Sequence, residues 1–129
     1  MRVLLWPEHA AEDLAADLHS MLADALSPVF VAEREAGGLC GLLEAGTRRY
    51  ADGCSTSPVG YIEGWYVDED MRGMGIGRRL VSAAEAWARE QGLREMASDA
   101  LISNEPSLKA HLALGYEEKE RLVHFAKIL

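Results

Sequence analysis

Residues 61–92 determine how this chain folds, and they read YIEGWYV-DED-MRGMGIG-RRLVSAAEAWAREQG. The first part, Tyr61–Val67, has the apolar and aromatic composition of a strand. The last part has apolar residues at helical spacing and predicts a helix from about Arg78 that ends at Gly92. An acidic turn and a glycine-spaced loop join the two. We therefore expect one strand-loop-helix unit at the centre of the fold.

The loop between strand and helix has the features of an anion site. Alternate residues are glycine, so no Cβ would keep a phosphate from the backbone, and the N–H groups at the helix start point the same way with the helix dipole behind them. Arg72, Arg78 and Arg79 add cationic charge nearby. The loop therefore predicts a phosphate cradle. The alternative is a tight turn that binds nothing.

Two familiar phosphate loops are excluded by spacing. A dinucleotide-binding loop requires G-x-G-x-x-G, whereas this chain has G-x-G-x-G followed by Arg78. A Walker loop requires Gly-Lys-Ser/Thr at its end, whereas Gly77 is followed by two arginines.

Size and charge narrow the class of protein. The chain has 129 residues, which predicts a single domain over residues 1–129. Its net charge of −8 argues against nucleic acid or an anionic membrane as a partner and favours a cationic substrate.

No apolar run approaches the roughly 18 residues of a membrane span, and no signal-peptide pattern is present, so we expect a cytoplasmic protein. Cys40 and Cys54 lack metal-ligand spacing, so we expect reduced thiols and no metal.

The rest of the chain supplies further helices and strands. We expect a helical region over residues 1–25 interrupted near Pro7, strands over 29–34, 39–49, 59–67 and 95–99, a helix capped by Asn104 with its body over 107–114, and two last strands over 116–128. This order favours an α/β (α+β) fold with a mixed sheet and helices on both faces.

Polar side chains stand at three places that suit chemistry. Asn104, Ser107 and His111 share one face of the last helix, which is either a functional stripe or a solvated one. Glu63 lies in an apolar strand and points either to solvent or into a cleft. Asp99 ends a strand, where α/β sheets place ligands.

Aromatic residues could form a pocket wall. Trp65 and Trp87 have core packing as their default interpretation. Trp6 and Tyr66 remain as substrate-side candidates.

Motif A of the GCN5-related N-acetyltransferases is similar to this loop. In that family R/Q-x-x-G-x-G/A wraps the pyrophosphate of coenzyme A, and Arg72, Gly75 and Gly77 fill the pattern. The resemblance implies a mixed, mostly antiparallel sheet whose central strand bulges, here at Glu63-Gly64, and splays to admit the pantetheine arm. It implies acetyl-CoA as co-substrate, bound by Trp65, Tyr66, Val67, Arg72, Gly73, Met74, Gly75, Ile76, Gly77, Arg78, Asn104 and Ser107.

A longer match, from about residue 29 to the C-terminus, resembles the aminoglycoside 6'-N-acetyltransferases. It includes SPVGYIEG at 57–64, EAWA at 85–88, ASD at 97–99 and GYEE at 115–118. The resemblance implies an aminoglycoside substrate whose amine Glu63 and Asp99 hold or deprotonate, with Trp6 and Tyr66 beside it. His111 stands where the family often has tyrosine near the coenzyme sulfur, so it becomes the candidate general acid.

One departure concerns the start of the sheet. Members of this family begin with a strand ahead of the first helix, whereas Met1 here begins at about that helix. Either the sheet has lost this first strand, or another chain or an altered start supplies it. An exposed sheet edge favours pairing with another chain, so we expect a homodimer.

Two other functions remain open at this point. An acetyltransferase for another amine, such as a polyamine or a protein N-terminus, would keep the cradle and change the pocket. A non-catalytic acyl-CoA-binding module would bind the coenzyme without turnover.

Overall fold

The computed structural model describes residues 1–129 and contains four α-helices and four β-strands. The helices are α1 (Arg2–Leu5), α2 (Ala11–Leu22), α3 (Ile76–Glu90) and α4 (Glu105–Ala113), and the strands are β1 (Val29–Glu33), β2 (Leu39–Arg48), β3 (Val59–Val67) and β4 (Met96–Ser98). The chain divides into two compact units, Met1–Asp99 and Ala100–Leu129. The single domain expected over residues 1–129 stays a prediction. No helix is both long enough and apolar enough to cross a bilayer.

The first unit holds one open sheet with the strand order β1-β2-β3-β4. The first three strands pair antiparallel, and β3 pairs with β4 in parallel. The predicted mixed, mostly antiparallel sheet is therefore confirmed. All residues before β1 are helical or irregular, so β1 is the outer strand on that side of the sheet.

Strand β3 carries a bulge at the expected place. Gly64 pairs with Glu44 and Ile62 with Ala45, which leaves Glu63 as the extra residue. Pairing of β3 with β4 stops at the same point, since its last pair joins Ile62 to Ser98. The backbone of β3 beyond the bulge therefore has an open edge on the β4 side.

Helices cover both faces of the sheet, as expected. On one face, a Cβ built on Gly41 of β2 would lie 3.0 Å from Leu80 and 3.2 Å from Ile76, both on α3. On the other face, a Cβ on Gly64 would lie 2.6 Å from the Trp6 ring, which follows α1. The core between these layers comprises the buried apolar residues Cys40, Leu42, Leu43, Ala45, Val59, Ile62, Leu80, Val81, Ala84 and Ala88.

The second unit consists of α4 and the segment that follows it. Asn104 caps α4 as predicted, because its Oδ1 accepts a hydrogen bond of 3.2 Å from the backbone N–H of Ser107. The helix ends before Gly115, which has a φ of 89°.

The prediction of two strands over residues 116–128 is wrong, since residues 116–129 contain neither helix nor strand. A strand requires a neighbour to take its backbone hydrogen bonds, and residues that suit a strand do not by themselves supply one. Local ion pairs form here instead, between Lys119 and Glu117 and between Arg121 and Glu118. The apolar side chains of this segment are exposed, with Phe125 at 92% and Ile128 at 98%.

Candidate active site

Glycine is required in this loop for two different physical reasons. Gly73 and Gly75 have φ values of 78° and 80°, and a Cβ at either position would meet nothing within 4 Å, so the backbone conformation and not crowding requires them. Gly77 has no positive φ, but its Cβ would lie 3.0 Å from the Trp65 ring. It therefore allows α3 to pack closely on β3.

Helix α3 begins two residues earlier than the sequence predicted. Gly75 is its N-cap, and the first intrahelical bond runs from Arg79 N to Gly75 O at 3.0 Å. Ile76 and Gly77 thus belong to the first turn, because a glycine in the left-handed region ends the loop one residue before Ile76. The N–H groups ahead of Arg79 point out of the N-terminal end of a 15-residue helix, which is the geometry that suits a phosphate.

Arginines flank this loop on two sides. Arg72 is exposed, donates from Nε to the carbonyl of Val67 at 2.9 Å, and lies 5.8 Å from the centre of the Tyr66 ring. Arg34 binds both acidic residues of the preceding turn, Asp68 and Asp70, at 2.8 Å each. Bonds to those carboxylates raise the pKa of Arg34, so it stays charged across the working pH range and offsets one of their two negative charges.

A cavity of about 850 Å³ opens between α1, α2 and strands β2 and β3. Trp6 and Glu63, both predicted site residues, line it together. Its other polar lining includes His9, Asp13, Asp17, Asp24, Glu44 and Arg2. Five carboxylates and one arginine give this cavity a strongly negative lining, and its volume falls in the range of small-molecule sites.

Glu44 forms the floor of the cavity and was missed by sequence reasoning. It is only 2% exposed and receives hydrogen bonds from Nε and Nη2 of Arg2. Arg2 also bonds the backbone oxygen of Leu14 and, at 2.9 Å, the carboxylate of Asp17. Burial lowers the pKa of Arg2, but the bonds to Glu44 and Asp17 outweigh it and raise the pKa overall. One feature of the sequence could have identified it, because Glu44 is the single acidic residue among the apolar residues of β2. A carboxylate buried at such a position requires a cationic partner.

The two predicted carboxylates, Glu63 and Asp99, belong to one cluster, which adjoins the cavity at Glu63. Arg48 binds Glu63 with two hydrogen bonds, Nε to Oε1 at 2.9 Å and Nη2 to Oε2 at 2.7 Å. Its guanidinium lies 3.5 Å from the centre of the Tyr61 ring, and the Tyr61 hydroxyl donates to Asp99 Oδ2 at 2.6 Å. Arg48 and Tyr61 thereby connect the two carboxylates, and neither was predicted as a site residue.

In the second unit, α4 brings the three predicted polar residues onto one face. His111 Nδ1 lies 2.7 Å from the backbone oxygen of Ser107, and its ring stands edge-on to Tyr116 at 5.8 Å. Nδ1 carries the proton when it donates to that oxygen, so Nε2 can release a proton only from the imidazolium form. The Asn104 side chain caps the helix with its oxygen.

The chain is similar to known proteins over most of its length. The profile of the acetyltransferase (GNAT) family matches residues 1–116. The chain is 43% identical over 126 residues to the aminoglycoside N(6')-acetyltransferase type 1 of Stenotrophomonas maltophilia, covering 97% of this chain and 81% of that protein. It is 38% identical to the enzyme of the same name from Serratia marcescens, covering 100% of this chain and 89% of that protein. The structure of AAC(6')-Iy in complex with the bisubstrate analog CoA-S-monomethyl-acetylneamine superimposes with a TM-score of 0.93 at 36% identity, covering 100% of this chain and 88% of that one.

Proposed function

This chain belongs to the acetyltransferase (GNAT) family, and from that premise we propose that it acetylates the 6'-amine of aminoglycoside antibiotics. It is an acetyl-CoA-dependent N-acetyltransferase. Its relatives are named as aminoglycoside 6'-N-acetyltransferases over nearly the whole of this chain. The expected consequence in a cell is resistance to the acetylated antibiotic.

The cavity is the observation that supports this substrate most strongly. An aminoglycoside carries several ammonium groups, and five carboxylates line a cavity of about 850 Å³. A cavity with such a lining favours a polycation over a singly charged amine because each added ammonium gains a further attraction. A polyamine lacks the rings that would fill the cavity beside Trp6.

The residues present fit acetyl-CoA. We assign its pyrophosphate to the cradle of residues 72–78, where positive-φ glycines and the N-terminus of α3 present N–H groups. We assign its pantetheine arm to the edge of β3 beyond the bulge, because the pairing of β3 with β4 ends at Ile62 and Ser98. By the same resemblance, we expect Asn104 and Ser107 to complete this set.

The chemistry proposed is direct transfer. Glu63 or Asp99 accepts the proton of the substrate ammonium, directly or through water, so that the neutral amine can attack the thioester carbonyl. A backbone N–H of the bulged strand polarises that carbonyl. The C–N bond forms and the C–S bond breaks. The nitrogen, which becomes cationic on attack, gives its second proton to water, and His111 as imidazolium, or water, protonates the departing thiolate. The cysteines take no part in this scheme, and Cys40 is fully buried.

The test is release of coenzyme A thiol when the purified chain is mixed with acetyl-CoA and kanamycin. We expect turnover with kanamycin to exceed turnover with spermidine or with a peptide N-terminus at equal concentration. Preference for either of the latter would assign the chain to another amine, and coenzyme binding without turnover of any amine would show a non-catalytic module.

Variants of the two carboxylates identify the base. Glu63→Gln and Asp99→Asn should each lower kcat while leaving residual activity, because much of the acceleration comes from positioning. Glu90→Gln, at an exposed position of α3, is a matched control that should leave kcat unchanged. Full activity of both site variants across pH would contradict the assignment.

We further propose that the active form is a homodimer. Phe125 and Ile128 are more than nine-tenths exposed in a segment without helix or strand, and burial against a second copy would remove this apolar surface from water. Sedimentation equilibrium should give twice the 14.1 kDa monomer mass, and Phe125→Asp with Ile128→Asp should give the monomer. A wild-type monomer at micromolar concentration would contradict this proposal.

Cytoplasmic location is also a proposal. The two cysteines form no disulfide, which agrees with a reducing compartment. The net charge of −8 gives no reason to propose nucleic acid or an anionic membrane as a partner.

A further inference from the structure

Glu63 and Asp99, the two carboxylates proposed to accept the proton of the substrate amine, lie in one cluster with Arg48. Arg48 occupies both oxygens of Glu63, and it stacks on the ring of Tyr61, whose hydroxyl donates to Asp99. The guanidinium is 43% exposed and the Glu63 side chain 36%, so the pair is accessible to solvent and to a ligand. One guanidinium and two carboxylates leave this cluster with a single net negative charge.

We propose that Arg48 sets the charge of the amine site, leaving enough negative charge to bind one ammonium group without holding that group in its protonated form. This inference rests on the acetyltransferase function proposed above. Arg48 is a positioning residue in this role, since it acts through Glu63 and is absent from the cavity lining.

The physical reason is a conflict between binding and reaction. Negative charge strengthens binding of the ammonium form, but the same attraction raises the pKa of the amine, and only the neutral amine attacks a carbonyl. Removal of Arg48 would add one net negative charge to the cluster. The affinity for the ammonium form should then rise. The deprotonated fraction of the bound amine should fall by about the same factor.

Other charges near the cluster are fixed or more distant in the fold. The bond to Glu63 raises the pKa of Arg48, so the guanidinium stays charged. Burial, followed by the bond to Asp99, raises the pKa of Tyr61, so its hydroxyl stays a donor. The remaining charged and titratable groups of the cavity are Arg2, His9, Asp13, Asp17, Asp24 and Glu44, and the hydrogen bonds of Arg48 go to none of them.

The experiment compares steady-state rates of the wild type, Arg48→Gln and Arg48→Lys with kanamycin varied at saturating acetyl-CoA from pH 6 to pH 9. For Arg48→Gln at neutral pH, we expect KM for kanamycin and kcat each to fall about three- to fivefold, a discounted value for a half-exposed charge. The ratio kcat/KM should stay within about twofold, and the rising limb of kcat against pH should move to higher pH. Arg48→Lys keeps the charge and should restore both constants.

The control is Arg49→Gln, which removes the same charge one residue away without touching either carboxylate. Its kinetic constants should match the wild type. A raised KM in Arg48→Gln, as a purely structural role would produce, or a profile equal to that of Arg49→Gln, would overturn the inference.

Calorimetric titration of kanamycin distinguishes this inference from the function on which it rests. Tighter binding by Arg48→Gln than by the wild type supports the role of Arg48, and equal or weaker binding overturns it. Absence of thiol release from the wild type refutes the acetyltransferase function alone, since the binding comparison requires no turnover. Circular dichroism of each variant verifies that it is folded.

Discussion

Replacing Arg2 by leucine should destabilise the protein more than the loss of any exposed arginine. The side chain of Arg2 is 10% exposed and that of Glu44 only 2%, so the substitution leaves a buried carboxylate without its cation. Breaking a buried pair in this way typically costs about 3–5 kcal/mol. The hydrogen bonds of Arg2 to Leu14 and Asp17 on α2 are lost as well, which removes a link between that helix and β2.

Urea unfolding followed by circular dichroism measures this cost. With a slope of about 1–3 kcal/mol per molar urea for a small protein, the midpoint should fall by at least about 1 M. Arg94→Leu is the matched control because Arg94 lies at an exposed position outside the ion pairs of the protein. Its free energy of unfolding should change by less than about 0.5 kcal/mol.

A second variant separates the loss of the ion pair from the loss of packing. Leucine at both Arg2 and Glu44 removes both charges, and buried pairs replaced by apolar residues are often no less stable than the original. The double variant should therefore recover most of the stability lost by Arg2→Leu. A cost below about 1 kcal/mol for Arg2→Leu, or a double variant no more stable than the single one, would refute the reasoning.

Three further predictions follow from the loop and from two perturbed groups. Gly75→Ala should cost about 1–2 kcal/mol of stability and raise KM for acetyl-CoA, because φ at this position is 80°; urea unfolding and initial rates measure both, and unchanged values would contradict the cradle. The bond from Arg34 lowers the pKa of Asp70 below its ordinary 3.8, so its contribution to stability is present above that pH and lost as pH falls through the folded value. Arg34→Ala should flatten this acid limb in urea unfolding from about pH 5 to pH 2, and an identical acid limb would show that the pair is not formed. Burial and the bond to Asp99 raise the pKa of Tyr61 above its ordinary 10.0, so its contribution to stability is present below pH 10.0 and lost as pH rises through the folded value. In an alkaline absorbance titration, Tyr61→Phe should remove the last of the four tyrosines to ionise, and loss of an earlier one would contradict the assignment.

Local patterns predicted most of the fold. Pro7 correctly separates two helices, and the glycine loop joins β3 to α3. These two features depend on residues close together in sequence, where backbone preferences and spacing carry the information. The bulge at Glu63-Gly64 was expected from the family resemblance. The prediction of two strands over residues 116–128 was wrong because a strand depends on a neighbouring strand that its own sequence does not specify.

Sequence patterns could not predict the ion pairs of the site. Arg2 meets Glu44 across 42 residues and Arg48 meets Glu63 across 15, and no spacing rule connects residues so far apart. Glu63 and Asp99 were found as acids at suggestive positions, but their link through Tyr61 emerges only once β3 and β4 lie side by side.

The contact of Gly64 with Trp6 restricts how this enzyme can evolve. Any larger residue at position 64 would displace the indole, since even a Cβ there would approach it to 2.6 Å. On the opposite side of β3, the Trp65 ring would lie 3.0 Å from a Cβ on Gly77, so Trp65 is also held in place by close packing. Selection by a new antibiotic therefore has little freedom to reshape β3, and substitutions that widen the range of drugs should accumulate on α2 and the loop after it, where Asp13, Asp17 and Asp24 line the cavity.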